Sequence, residues 1–448
     1  QLAAGERLTA GEGEVTTELY DDWRRPAERM TDPGLALARY RERLADAIAR
    51  WLERAPGSGF LLSGGLDSSV NVALAAERGV QPLRTFGIAA AGLHADAPYA
   101  RRVASRCGAT YLEHTVDGGE IDDLPRLVWA FENPFFEPGM MLTWSALSLA
   151  AAHTDAVVGG EVADQLFGAC AVPAWRRHRQ RRRLGPLWRP WLALVHGTAR
   201  QPGLRRWRFA RRVEERLVRR HHPASWCGRY GFRNADLPAL LRRGLPEDDR
   251  YDTLALPDHD LDALFDHGCT VLNRDYAVSG ILPANGRLGD LLGVATFSPF
   301  CDRRLADLVL GLATDLRCPE APGQPGTFTY KALHRDLARM LLERDVVERP
   351  KQGGAITPTI HLRDADRLAA MRRALLASPF IDDLCRRETL EALLVDPRRN
   401  AVRILQLVTL DLWHHLDHER GGAGAPDFTL GEFLAMRGDR APAGRPPA

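Results

Sequence analysis

The chain has 448 residues, 45% hydrophobic and 26% charged, with a formal net charge of +2. That length predicts two or three domains, and that composition excludes wholesale disorder. The best apolar run, Met140 to Ala152, is too short to span a bilayer, and the first residues carry neither the basic nor the apolar region of a secretory signal. A cytoplasmic protein is therefore expected. The seven cysteines, among them Cys107, Cys170 and Cys227, are scattered without a CxxC pair, which argues against a zinc site or a disulfide framework.

Residues 1–24 read as two short strands with Gly11 and Gly13 at the turn. The spacing of Leu44, Ala47, Ile48, Trp51 and Leu52 predicts a helix from Arg39 to Arg54, stopped by Pro56, Gly57, Ser58 and Gly59. A compact apolar strand, Phe60 to Leu62, leads into a glycine-rich turn and a helix from about Ser68 to Glu77. Then come a strand over Leu83 to Ile88, a helix over Tyr99 to Cys107 and a strand over Thr110 to His114. Helices over roughly Ile121 to Phe131 and Thr143 to Ala152 precede a short buried strand, Ala156 to Val158. Strands alternating with helices at this spacing imply an α/β fold, a parallel sheet with helices on both faces.

From Ala171 to His222 there are 16 arginines against Glu214 and Glu215, a local balance of +14 within a chain of +2, so the remainder sums to −12. Tryptophans 175, 188, 191 and 207 and Phe209 are interleaved with them. Such a stretch suits a solvated helical face, a docking surface for an acidic partner, a membrane surface or a nucleic acid; no recognised nucleic-acid fold accompanies it, and that reading ranks last. A mainly helical half follows. The expected units are 1–24, 25–170, the arginine-rich insert 171–234, a helical part 235–415 and a flexible Gly-, Ala- and Pro-rich tail 416–448, with one short helix around Leu430 to Met436.

Ser63-Gly64-Gly65-Leu66-Asp67-Ser68-Ser69 lies between strand residue Leu62 and a helix start. Two glycines let the backbone approach an anion, unpaired amides at the helix N-terminus point at it, and the serines add hydroxyl donors. Asp67 beside a phosphate requires a cation between them, which implies Mg²⁺. Of the 60 basic residues only Lys331 and Lys351 are lysine, leaving 58 arginines. Each lysine marks a place where a compact ammonium serves and a planar guanidinium does not.

SGGLDSS in this setting resembles the pyrophosphate loop of the ATP pyrophosphatases, and its ending is most similar to the asparagine synthetase family. Val158 to Gly168 (VGGEVADQLFG) resembles that family's GEGxDExFGG segment. Tyr330-Lys331-Ala332-Leu333, Ser298 to Asp302 and Arg349-Pro350-Lys351-Gln352-Gly353-Gly354 resemble three further family segments. The resemblance covers about residues 1–415. It implies an ATP-pyrophosphatase (adenine nucleotide α-hydrolase-like) core and a ligase that adenylates a carboxylate, releases AMP and pyrophosphate, and passes the acyl group to ammonia or an amine. It implies ATP contacts at Leu62, Ser63, Gly64, Gly65, Leu66, Asp67, Ser68, Ser69, Ile88, Gly159, Gly160 and Lys331, metal ligands at Asp67 and Asp164, and catalytic roles for Glu161 and Lys351. A structural role for Lys331 explains its position equally well.

Several departures bear on the acyl acceptor side. Gln165 replaces the family's second acid, Ala169-Cys170 replaces its closing Gly-aromatic pair, and Gly293 to Phe297 lacks an acid and an arginine of true asparagine synthetases. The stretch after Lys351 is more similar to the β-lactam synthetase and lasso-peptide cyclase branch, where the substrate is a small-molecule or peptide carboxylate. A non-catalytic synthetase-like partner protein is the competing class, against which intact Asp67, Asp164 and Lys351 weigh. Gln1 to Trp23 resembles the closing edge of the family's glutaminase domain. The chain is accordingly expected to be a fragment, or to work with a separate glutaminase subunit, free ammonia or an amine already on the substrate.

Overall fold

The computed structural model describes residues 2, 5–11, 13–20, 29–90, 96–134, 139–168, 231–232, 237–243, 265–266, 269, 277–278, 280–324, 327–349, 360–422 and 424–439. The arginine-rich insert and Lys351 lie outside the described residues. The expected N-terminal strands are present as an antiparallel hairpin, β1 (Glu6–Ala10) and β2 (Val15–Leu19), forming a sheet of their own.

Helix α1 spans Pro33–Arg54 and starts six residues before the expected Arg39. Asp32 caps it by accepting from the Leu35 amide at 2.7 Å, and Pro33 brings a preset φ to the first turn. The central sheet has five parallel strands, β3 (Gly59–Leu61), β4 (Arg84–Ala90), β5 (Thr110–Val116), β6 (Ala156–Val158) and β7 (Ala295–Phe297), in the order β5-β4-β3-β6-β7. Connecting helices are α2 (Leu66–Glu77), α3 (Ala97–Arg106), α4 (Leu124–Phe131), α5 (Met140–Ala151) and α6 (Ala163–Leu166), with α7 (Leu282–Leu292) leading into β7. Strand β7 was not among the expected elements.

Side chains alternate across the sheet as the strand period requires. Phe60, Leu62 and Val158 enter one core with α1, α2, α3, α8 (Arg303–Leu310) and α9 (Ala332–Leu341). Leu61, Phe86 and Val157 enter the other, with α4, α5, α7, α10 (Ala365–Ala377), α11 (Ala401–His414) and α12 (Leu430–Gly438). Both faces are covered, so each strand is short and apolar.

Within the tail expected over 416–448, the one short helix expected around Leu430 to Met436 is present as α12 and is docked rather than frayed. Thr429 and Glu432 form a capping box that starts α12, and Leu430, Phe433 and Leu434 are buried against the second core. Each such burial is worth about 1.5–3 kcal/mol, enough to dock a helix of nine residues despite its glycine-rich approach.

The strand order reverses between β3 and β6. The chain leaves β3 toward β4 on one side, and β6 adds to the other, so the connections diverge and open a crevice at the carboxyl ends of these two strands. In open α/β sheets this is where ligands bind.

Candidate active site

The loop after β3 is shaped by its glycines and serines. Gly64 has φ +72°, and a Cβ there would lie 2.5 Å from the Asp96 carbonyl oxygen and 2.7 Å from the Ala100 nitrogen, so no other residue fits. Ser63 and Ser68 hydroxyls are 3.1 Å apart, the Ser63 amide donates to Ser68 Oγ at 3.2 Å, and the Gly65 amide donates to Ser63 Oγ at 3.2 Å. Gly65 caps α2 without a side chain, which leaves that helix end open to an anion. Ser69 is fully buried. Leu62 is a core residue whose amide bonds the Phe86 carbonyl at 2.7 Å. Ile88 packs toward Ala90, Val116 and Ile360 on β4 rather than on the loop.

The loop after β6 is strapped to its neighbours. The Gly159 amide donates to the Phe297 carbonyl at 2.8 Å, Asn71 Nδ2 donates to the Gly159 carbonyl at 2.9 Å, and Ser298 Oγ donates to the Glu161 carbonyl at 2.6 Å. A Cβ on Gly160 would sit 3.1 Å from the Ser68 nitrogen, so the two loops meet there. Val162 follows with φ +72°, a strained conformation for a β-branched residue. Burial pushes the Glu161 carboxyl above its ordinary pKa, and the charge on Asp67 adds to the shift.

Lys331 joins the loops. It is buried, sits at φ +52° just before α9, and places Nζ 2.6 and 2.7 Å from the two Asp67 oxygens and 2.8 Å from Asp164 Oδ1. Burial opposes its charge, but Asp164 and Asp67 outweigh that and raise its pKa. Among the described residues, non-glycine positive φ occurs at Glu132, Val162 and Lys331, and two of the three adjoin this cluster. Strained backbone of this kind collects at functional sites. The sequence reading put a metal between Asp67 and Asp164 and Lys331 at the phosphates; here the ammonium itself occupies the point the two carboxylates share.

That shared point bears on magnesium. Two carboxylates aimed at one cation, with substrate phosphates and water completing the shell, is how magnesium is commonly held beside nucleotides. Among the described residues no group of three or more His, Cys, Asp or Glu gathers as a metal cage. The donor set fits a metal that arrives with phosphate.

Three further residues, Tyr40, His334 and Arg349, had no site role in the sequence reading. His334 Nε2 lies 3.1 Å from Asp67 Oδ1, a contact short of ideal alignment, and its Nδ1 lies 2.8 Å from Tyr40 Oη. Burial holds the imidazole below its usual pKa and raises that of the Tyr40 phenol. Arg349 Nη2 donates to the Gly64 carbonyl at 2.6 Å, its guanidinium also pairs with Asp96, and it lies 4.6 Å from the Tyr99 ring centroid. Arg349 opens the RPKQGG segment, which was legible; Tyr40 and His334 carry no local signal.

A family model described as asparagine synthase matches residues 39–415. The chain is 28% identical over 143 residues to the glutamine-hydrolyzing asparagine synthetase 1 of Bacillus subtilis, covering 31% of this chain and 22% of that protein. It is 30% identical over 131 residues to putative glutamine-hydrolyzing asparagine synthetases of Mycobacterium bovis and Mycobacterium tuberculosis, 29% of this chain and 20% of each relative. The matched stretches thus span about a fifth of the length of these curated relatives.

Proposed function

The chain belongs to the asparagine synthase family, and from that premise we propose that it is an ATP-dependent ligase that forms an amide bond through an adenylated carboxylate. One observation carries the reading. Carboxylates from the first turns of the helices that follow β3 and β6, Asp67 and Asp164, converge on one cation position beside a glycine-serine loop at the switch point of the sheet.

The substrate carboxylate attacks the α-phosphorus of ATP, the bond to the β-phosphate oxygen breaks, and pyrophosphate leaves. The 63–69 loop holds the pyrophosphate with backbone amides and the Ser63 and Ser68 hydroxyls. Magnesium, held by Asp67 and Asp164, would neutralise phosphate charge. Lys331, bonded to both carboxylates, supplies a further fixed positive charge beside them, so the metal would meet their remaining oxygen lone pairs, and Lys351 is assigned the charge that develops on the α-phosphate. Ammonia or an amine then attacks the acyl carbon, AMP leaves, and the nitrogen's surplus proton passes to Glu161. A carboxylate whose pKa is raised by burial is the better proton acceptor for that step.

The test is the identity of the products. With α-labelled ATP, Mg²⁺, ammonia and a panel of carboxylates including aspartate, the chain is expected to give AMP and pyrophosphate. ADP and phosphate as the products would remove the reading.

A further inference from the structure

Asp67 has a second buried partner besides Lys331. His334 stands in the first turn of α9, fully buried, inside a box of aromatic rings: Tyr40 at 5.9 Å, Phe167 at 5.9 Å and Phe300 at 5.6 Å between centroids. An apolar side chain would fill that box without carrying polar atoms into it. A buried polar group left unsatisfied costs about 1–3 kcal/mol. Nδ1 is matched by Tyr40 Oη at 2.8 Å, and Nε2 lies 3.1 Å from Asp67 Oδ1, within reach of the carboxylate though out of line for a hydrogen bond as it stands.

The direction of these contacts follows from the chemistry. Asp67, paired with an ammonium, only accepts, so His334 Nε2 carries the hydrogen. A neutral imidazole has one N–H, which leaves Nδ1 as acceptor and makes Tyr40 the donor. Phenol, imidazole and carboxylate form one directed column from α1 through α9 to the loop after β3.

We infer that Tyr40 and His334 are positioning residues that hold the Asp67 carboxylate in the orientation in which it meets the metal–nucleotide. Tyr40 fixes the tautomer, and His334 restrains the carboxylate through Nε2–H. The inference rests on the ATP reading above and goes beyond it to two residues that touch neither substrate nor metal. Partners that orient a metal ligand typically change metal affinity by about 10- to 100-fold when removed.

The experiment uses the full chain, Mn²⁺ as the metal and α,β-methylene-ATP as the nucleotide, with bound Mn²⁺ read from the loss of its free electron paramagnetic resonance signal. His334→Leu is expected to weaken Mn²⁺ binding about 10- to 100-fold, and Tyr40→Phe by about 3-fold or more. His334→Gln, which can still donate toward Asp67, is expected to recover most of the loss. Nucleotide binding without metal stays the same in all three, which a general collapse of the site would not allow. A folded His334→Leu that holds Mn²⁺ within about 2-fold of wild type overturns the inference. Should that variant fail to fold, Tyr40→Phe decides, since it removes one oxygen and leaves the aromatic box in place; unchanged affinity there overturns the inference too. Wild-type protein that binds no Mn²⁺ with the nucleotide overturns the ATP reading and this inference together, whereas binding with every variant unmoved overturns the inference alone.

Discussion

Among the described residues, two buried charge clusters share one stoichiometry, a single cation facing two carboxylates. At the sheet edge Lys331 faces Asp67 and Asp164. Between α11 and α12, Arg437 faces Asp411 and Glu419. The second cluster is a closed fastening. The Arg437 fork reaches Glu419 at 2.7 and 3.1 Å and Asp411 at 3.2 and 3.3 Å, Ser378 donates to Asp411 at 2.6 Å, and His415 Nδ1 lies 2.8 Å from Glu419. Asp411 is 1% exposed and Glu419 28%, while Asp67 and Asp164 keep 20% and 28% of their side chains open, so one carboxylate of the second cluster is sealed and both of the first reach the surface. The first cluster also has left-handed residues at Lys331 and Val162 and glycine loops around it. A buried ion cluster is thus not by itself the mark of a site. Glycine loops and left-handed residues that bring two helix starts together at the sheet edge make the difference.

The sharpest way to break this comparison is to remove one member of each cluster. Arg437→Ala leaves Asp411 buried without its cation and is expected to cost about 3–5 kcal/mol of stability in urea unfolding. Its effect on pyrophosphate formation per folded molecule should be small. Asp67→Asn should do the reverse. Pyrophosphate formation falls about 100- to 1000-fold, about 3–4 kcal/mol of barrier, while stability holds or rises because Lys331 then faces a single carboxylate. An Asp67→Asn protein that unfolds while retaining its rate would invert the assignment.

What was legible beforehand divides along the same line. The loops over 63–69 and 158–168 could be read because glycine, helix start and strand end act over a few residues. So could four of the five parallel strands. β7 escaped because its three residues lie between the Gly293 helix cap and Ser298-Pro299, too short for a period to register. The start of α1 is encoded by Asp32 and Pro33, while the apolar pattern that predicts the helix begins only further on. The Lys331–Asp67 contact joins residues 264 apart, and nothing local announces it. Tyr40 and His334 sit at helical positions that read as core, because periodicity reports burial and not which polar atom a buried side chain meets. The short helix expected around Leu430 to Met436 was legible, and its capping box and buried face show why it is ordered within a Gly-rich tail.

A milder change tests whether the two cations are interchangeable. Arg437 shows what a guanidinium does with two carboxylates: it spreads over both and closes the cluster. Lys331→Arg should therefore fold with stability within about 1 kcal/mol of wild type, since charge is kept, yet lose about 10- to 100-fold in pyrophosphate formation, about 1.4–2.7 kcal/mol. The wider fork would occupy the point that phosphate and metal need. Full activity in this variant, measured beside an unchanged melting curve, would mean that only the charge matters at the shared point.

The smallest expected effect concerns pH and belongs to the closed cluster. Burial works against the charge on Glu419, but Arg437 and His415 outweigh it and hold the carboxyl down to about 2, against an ordinary 4.5. The folded state therefore releases this proton more readily than the unfolded chain does. The stabilisation is complete above the unfolded value and is lost as pH falls from about 5 toward about 2. Glu419 is partly open to water, so solvent screening reduces the contribution to about 1 kcal/mol. Other carboxylates also titrate in this window, so the informative quantity is a difference. Unfolding free energies of wild type and Glu419→Gln, measured in urea at pH 7, 4 and 2.5, should converge as the pH drops, because the variant has no such contribution to lose. Parallel curves across the range would place the acid-sensitive contribution elsewhere and reduce the Glu419–Arg437 contact to packing.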